Sequence, residues 1–406
     1  MKAEVVVVGD ELIAGRVIDT NSATLCRALL QCGVEVGRVI RVGDEEEAIK
    51  RAAAGALVSS RLVLVIGGLG PTPDDRTLGA IAQLLDRELV LDEDSLKRIQ
   101  MQFARRQQAM PALAKKQALV LSGAKVFPNP VGMVPGTVVE HQGSVIVLLP
   151  GVPGELKALI PSVVFQEIGK RFGVKNSSIE ILRTFGLIES HIAPRVLRIS
   201  RRYPVRIGFY PALSGLDIIF SGEEENKVKE CADRVAQLLG RAVFSRDERS
   251  LSEVLGTLLM DHKLTVATAE SCTGGLIGDL LTDVPGSSRY YRGGVVVYSN
   301  QVKIDLLGVR ESTLNRFGAV SSPTVREMAE GVCLLLGSEV GIAVSGIAGP
   351  GGRSKEKPVG LVYIAVRVRD RVKVKRHIFT GDRRIVKERS AYSALDFSRR
   401  LLQFGD

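Results

Sequence analysis

Short β-branched apolar runs that stop at a glycine-rich or polar loop and restart with helical periodicity constrain this 406-residue chain more than any other feature. Ala3–Val8 ends at Gly9-Asp-Glu-Leu12, and Leu62–Ile66 ends at Gly67-Gly-Leu-Gly-Pro-Thr-Pro-Asp-Asp-Arg-Thr77. The run that opens at Leu264 ends at Glu270-Ser-Cys-Thr-Gly-Gly275, and Val340–Val344 ends at Ser345-Gly-Ile-Ala-Gly-Pro-Gly-Gly352. Strand and helix alternating at this spacing imply an α/β fold with a largely parallel sheet and helices on both faces. Ligands of such sheets bind beyond the carboxyl ends of the strands, so these loops are the places to look for function.

Composition narrows the class. With 45% hydrophobic and 25% charged residues the chain is an ordinary globular protein with room for two or three domains. Its longest apolar runs, such as Leu62–Ile66 and Val145–Leu149, fall far short of the roughly 20 residues of a membrane helix. Glu4 and Asp10 interrupt the N-terminus, which lacks the apolar centre of a signal peptide, so a cytoplasmic protein is expected. Cys26, Cys32, Cys231, Cys272 and Cys333 show no metal-ligand spacing and read as free thiols.

The excess of 55 Lys+Arg over 45 Asp+Glu fits either nucleic acid or small anionic substrates. Its distribution favours the second. Basic residues 367, 369, 371, 373 and 375 alternate with Val368, Asp370, Val372 and Val374, as in a hairpin with one wet face, and only 5% of residues are aromatic, too few for a base-stacking surface.

Three domains are expected: 1–172, 173–246 and 247–406. The first and third are three-layer α/β/α units. The middle one is a small α+β module with strands at Ile179–Phe185, Val205–Phe209, Leu216–Phe220 and Ala242–Phe244, and helices at Glu189–Ser200 and Glu223–Leu239. A Ser cap at Ser250 opens the third domain.

Two loops carry candidate chemistry. In the first domain, Gly67, Gly68 and Gly70 let the backbone approach a phosphate and Thr72 and Thr77 can donate to it. Asp74 and Asp75 could hold a hard cation bridging phosphate oxygens; a Gly/Pro turn with an Asp cap is the structural alternative. In the third domain, Ser271 sits where a strand meets a helix N-terminus, which suits either an N-cap or a nucleophile beside free backbone N–H groups. Val295–Tyr298 reads as a neighbouring strand that places Tyr298 at its carboxyl end, with Asn300 capping the next helix and Lys303 in its first turn.

These residues carry a resemblance. Gly9–Leu12, Asp19-Thr-Asn21, Gly67–Thr77 and Leu149–Glu155 resemble the molybdopterin-binding-like domain that opens the competence/damage-inducible CinA family. Residues 174–245 are similar to its KH-like middle domain, though without the Gly-x-x-Gly loop of RNA-binding KH domains. Ala269–Gly275, Gly294–Asn300, Ser345–Pro350, Lys357–Tyr363 and Phe379–Arg383 resemble its C-terminal domain.

The resemblance implies an amidohydrolase that converts nicotinamide mononucleotide to nicotinate mononucleotide and ammonia without a cofactor. Ser271 would be the nucleophile, with Lys303 and Tyr298 handling its proton. Glu270, Cys272, Thr273, Gly274 and Gly275, then Ser345, Gly346, Gly349, Gly351, Gly352 and Arg383, would surround the substrate. It also implies a divalent-metal-dependent ADP-ribose pyrophosphatase in the first domain, with the nucleotide on Gly67–Thr77 and metal at Asp74, Asp75 and Glu155. Expected partners are these nucleotides and a second copy of the chain in a homodimer, not a specific nucleic acid or a membrane. The alternative is a non-enzymatic nucleotide-binding or recombination-associated protein.

Overall fold

A computed structural model describes residues 2–172 and 178–405, and the chain divides into two compact units, residues 1–177 and 178–406. The junction expected between residues 172 and 173 borders residues 173–177, which lie outside the described ones.

The first unit is built on a six-stranded sheet. From one edge the strands are Glu35–Val42, Lys2–Val8, Leu62–Ile66, Ser144–Leu149, Gly136–His141 and Lys125–Phe127. The first four are parallel, and Gly136–His141 pairs antiparallel with both of its neighbours. Period-two alternation sorts their side chains into two cores. Val5, Val7, Leu62 and Leu64 face the helices Asn21–Gln31 and Pro153–Ile160 through Leu25, Leu29, Leu156 and Leu159. Val6, Val8, Val63 and Val65 face the helices Glu46–Ser59 and Thr77–Leu84 through Ile49, Ala53, Ala80 and Ile81. These are the three layers that the uninterrupted apolar runs require, since a parallel strand is covered on both faces.

The second unit holds two sheets. The α+β module has an antiparallel sheet in the order Arg206–Ala212, Gly215–Gly222, Ser178–Thr184, Val243–Ser245. The helices Glu189–Ser200 and Glu225–Leu239 close its core through Ile192, Val196, Val228 and Val235. The other sheet runs Tyr291–Val296, Val266–Glu270, Val340–Gly346, Leu361–Val368, Arg371–Ile378. Its first three strands are parallel, and the last two form the expected basic hairpin. Helices Leu251–Asp261, Leu276–Thr282 and Arg383–Phe404 cover one face, and Ser322–Leu336 with Asn300–Leu307 the other. Ser250 and Glu253 form a reciprocal capping box at the start of this part.

The two parts of the second unit are bonded together. Arg399, fully buried on the last helix, binds Asp396 and donates to the Arg241 carbonyl at 2.8 Å, and Arg183 donates to the carbonyls of Glu248 and Arg249. All five cysteines are free thiols. Among the described residues no helix is long and apolar enough to cross a membrane.

Candidate active site

The strand Val266–Glu270 is buried at every position and delivers Ser271 to the carboxyl edge of the sheet, where the Ser271 N–H still pairs with the Val344 carbonyl at 3.0 Å. The chain then turns through Gly274 and Gly275, both with positive φ, into the helix Leu276–Thr282. Left-handed backbone at two consecutive positions is what the Gly-Gly pair supplies.

Glu270 corrects one expectation. Its carboxylate, almost fully buried, accepts from the N–H groups of Gly275, Ile277 and Gly278 at 2.9 to 3.1 Å. The helix N-terminus expected to be open to an anion is therefore filled by the protein's own carboxylate, and Glu270 anchors the loop. Among the described residues the amides of Cys272, Thr273 and Gly274 have no backbone acceptor.

Lys303 enters from below. The strand expected to run to Tyr298 is Tyr291–Val296, and the next helix, Asn300–Leu307, is capped by the Ser299 hydroxyl and not by Asn300. Leaving the sheet two residues early lets the helix's first turn bury Lys303, which is 1% exposed. Its Nζ lies 2.7 Å from the Val297 carbonyl, 3.3 Å from that of Tyr298 and 3.3 Å from Ser271 Oγ. Burial lowers the Lys303 pKa below its ordinary value, against a smaller opposing effect of Cys272. The Ser299 carbonyl lies 3.5 Å from the same Nζ; when deprotonated, the amine has a lone pair that can accept from the Ser271 hydroxyl, as a base beside a nucleophile does.

Tyr298 follows the strand end by two residues instead of lying on it. It is largely exposed, and its hydroxyl accepts from Arg383 Nη2 at 3.0 Å. Arg383, the first residue of the long C-terminal helix, also donates through Nη1 to the Gly349 carbonyl at 2.7 Å. One guanidinium thus ties Tyr298 to the glycine loop. Ser345 is buried and its hydroxyl is committed to the Ala319 carbonyl.

These groups line a cleft of about 220 Å³ that contains Ser271, Cys272, Tyr298, Lys303, Ser345, Gly346, Gly349, Gly351, Gly352 and Arg383. Thr273, Gly274 and Gly275 instead border an adjoining open cleft of about 730 Å³ with Arg384 and Lys387, and Arg383 lines both. The Cys272 thiol is packed under Gly346, and desolvation pushes its pKa up to about 12.

The expected loop of the first unit lines a separate cavity of about 650 Å³ with Gly67, Gly68, Gly70, Thr72, Asp74, Asp75 and Glu155. Its glycines have a structural cause: a Cβ on Gly67 would lie 2.4 Å from the Val8 carbonyl, and one on Gly68 2.2 Å from Thr77 Oγ1. Asp75 accepts from Thr72 N at 2.8 Å and Thr72 Oγ1 at 2.5 Å, and Glu155 accepts from Asn129. Thr77 does not line the cavity; its buried hydroxyl has no partner among the described residues. Nor do three His, Cys, Asp or Glu side chains converge anywhere among the described residues in a metal-ligating group. Asp44, which the sequence marks only as the opening of a helix, lines this cavity; its carboxylate accepts from the Asp10 N–H and its own N–H donates to the Asp10 carboxylate, both at 3.1 Å. Burial, then the nearby Asp10, Glu11 and Asp75, raise its pKa against the bond from the Asp10 amide.

Residues 248–402 match the CinA C-terminal domain, and residues 4–170 the probable molybdopterin binding domain. A putative competence-damage inducible protein of Caldicellulosiruptor bescii is 40% identical over 98% of this chain and 99% of its own. The chain belongs to the CinA family. A CinA-like protein of Chlorobaculum tepidum is 38% identical over 97% of both chains. Among solved structures, the competence/damage inducible protein CihA of Agrobacterium tumefaciens is 42% identical, covering 36% of this chain and 90% of its own, with a TM-score of 0.36. The family's two domain matches coincide with the two three-layer parts that carry the clefts.

Proposed function

We propose that this CinA-family chain is an amidohydrolase that converts nicotinamide mononucleotide and water to nicotinate mononucleotide and ammonia. The observation that carries the reading is the buried Lys303 amine 3.3 Å from the Ser271 hydroxyl at the floor of a cleft. Ser271 Oγ attacks the carboxamide carbon while Lys303 takes its proton. The C–N bond then breaks and Lys303 returns that proton to the departing ammonia. Water, deprotonated by the same amine, attacks the acyl-enzyme and releases the carboxylate and Ser271. The amides of Cys272 to Gly274 are available for the oxyanion, a contribution that can reach about 3 kcal/mol. Arg383 and the loop from Gly346 to Gly352 supply donors for the ribose phosphate.

The test is ammonia release from nicotinamide mononucleotide by the full chain and by Ser271→Ala. Turnover by the full chain, lost in the variant while substrate still binds, supports the assignment. No turnover by the full chain would leave the binding-protein reading.

A second reading concerns the first unit, and one observation favours it. Its cavity is lined by Glu11, Asp19, Asp44, Asp74, Asp75 and Glu155 with no Lys or Arg. An anionic diphosphate such as that of ADP-ribose enters such a site only with a cation, and hard carboxylate oxygens fit Mg²⁺ or a similar ion. No three of these carboxylates converge on one point among the described residues, so such an ion would be held by one or two of them, Asp44 and Asp75 foremost, and complete its shell with water and the diphosphate. Metal-dependent release of AMP from ADP-ribose, lost in Asp44→Asn with ammonia release intact, tests this reading.

A further inference from the structure

The α+β module holds a feature that neither activity uses. Between Glu189 and Asp217 the chain carries arginines at 195, 198, 201, 202 and 206 and no carboxylate. Two of them, Arg198 and Arg202, meet Arg234 and Gln237 of the helix Glu225–Leu239 around a cleft of about 420 Å³. Its remaining lining is Ile199, Tyr203 and Leu238, all partly buried.

The acids nearby are already spoken for. Glu230 accepts the Tyr203 hydroxyl at 2.9 Å and is shared by Lys227 and, at 3.6 Å, Arg234; Asp233 pairs with Arg246. Arg198 and Arg202 have no carboxylate partner among the described residues. A cation near a helix C-terminus is normal, and two helices end close to this cleft. Two such ends supply only about one unit of negative charge between them, which leaves the rest of the arginine charge uncompensated. The guanidinium fork matches phosphate oxygens bidentately, and the apolar lining suits a flat base or sugar face. A cavity of this size also lies within the usual small-ligand range, about 300 to 1,000 Å³.

We propose that this cleft binds the phosphate groups of nucleotides, either free or linked in a single strand. The absent Gly-x-x-Gly loop argues against sequence-specific RNA binding, not against phosphate contact of this kind.

The experiment uses the full chain and two fluorescent probes, a labelled oligothymidylate and labelled ADP, with anisotropy read at several salt concentrations. Arg198→Ser/Arg202→Ser should weaken at least one probe roughly tenfold or more without changing the thermal midpoint. If the source is a strand, the oligomer is the probe affected, and its log–log salt slope falls by about 1.4 as two phosphate contacts are lost. If the source is a free nucleotide, the ADP component is lost instead. Equal binding of both probes by wild type and variant overturns the proposal, as does failure of both probes to bind wild type at low salt. None of these outcomes depends on whether ammonia is released at Ser271.

Discussion

Ser271 and Lys303 stand 32 residues apart in the chain and 3.3 Å apart in the fold. Parallel neighbouring strands bring them together: one ends at Glu270 and its partner at Val296, and the helix after each starts from the same sheet edge. Each residue is held by main-chain groups, Ser271 through the Val344 carbonyl and Lys303 through those of Val297 and Tyr298. The pair is preorganised by the sheet itself.

The first prediction concerns pH. Burial lowers the folded pKa of Lys303, and the unfolded chain restores its ordinary value of 10.5. Between the two values the unfolded state binds more protons, so this residue makes stability rise with pH across that window. The thermal midpoint of Lys303→Met relative to wild type should therefore be most favourable to the variant at low pH, and this advantage should shrink as pH climbs toward 10.5. kcat/KM for ammonia release should fall on the acid side through the same folded pKa, and Lys303→Arg, which cannot deprotonate, should be inactive. A pH-independent midpoint difference would show that the lysine is an ordinary cation.

Glu270 gives a stability prediction. Removing its carboxylate leaves the amides of Gly275, Ile277 and Gly278 without their acceptor. Glu270→Ala should cost about 2–4 kcal/mol of stability, and Glu270→Gln, which retains one carbonyl oxygen, distinctly less. Thermal unfolding of the two variants measures this. If both unfold with wild-type midpoints and only KM rises, the carboxylate serves substrate and not the loop.

The alternation of strands and helices was legible because parallel strands covered on both faces must be continuously apolar, and Val5–Val8 and Leu62–Ile66 carry no competing pattern. So was the convergence of the Ser271, Lys303 and Ser345 loops, since three parallel strands share one carboxyl edge. What failed were positions decided by a residue or two of geometry. Val297 and Tyr298 extend an apolar run and look like strand, yet the chain must leave the sheet after Val296 to bury Lys303. Ser299 and Asn300 are equally good caps side by side, and no local rule separates them. The role of Glu270 was invisible because a carboxylate next to a serine looks like catalytic company. The bond from Arg383 to Tyr298 joins distant segments that no spacing connects. Asp44 escaped notice for the same reason: its partner Asp10 lies 34 residues earlier, at the end of an adjacent strand.

That Asp44 environment gives a third prediction. An acid whose folded pKa is raised makes stability fall as pH rises above its ordinary value, because the native state then holds the proton more tightly than the unfolded chain. Asp44→Asn keeps an oxygen for the Asp10 amide and removes one carboxylate from a cavity already lined by Asp75 and Glu11. At neutral pH the variant should therefore unfold at a higher temperature than wild type, with the gain disappearing at acid pH. Added Mg²⁺ should raise the wild-type midpoint more than that of the variant. Equal Mg²⁺ responses would remove Asp44 from any cation site.

The last prediction decides between neighbours. Cys272 adjoins Ser271, and a thiol is intrinsically the better nucleophile, but only as thiolate. Here burial pushes the thiol to about 12, so at neutral pH almost none is ionised. The sulfur also packs where a Cβ on Gly346 would come within 3.1 Å of it, as a core atom does. Ser271 has the deprotonating group that a hydroxyl needs, at hydrogen-bond distance, whereas His262 and His377 line neither cleft of this domain. Ser271→Ala and Lys303→Ala should each lower kcat for ammonia release by about three orders of magnitude or more while substrate still binds, and the double variant should be little worse than either alone, as for residues acting as a unit. Cys272→Ala should keep most of the activity and lose some stability, about 1 kcal/mol for a buried sulfur replaced by a small void. Ammonia release by the three single variants is the deciding measurement, and an inactive Cys272→Ala beside an active Ser271→Ala would transfer the nucleophile to sulfur.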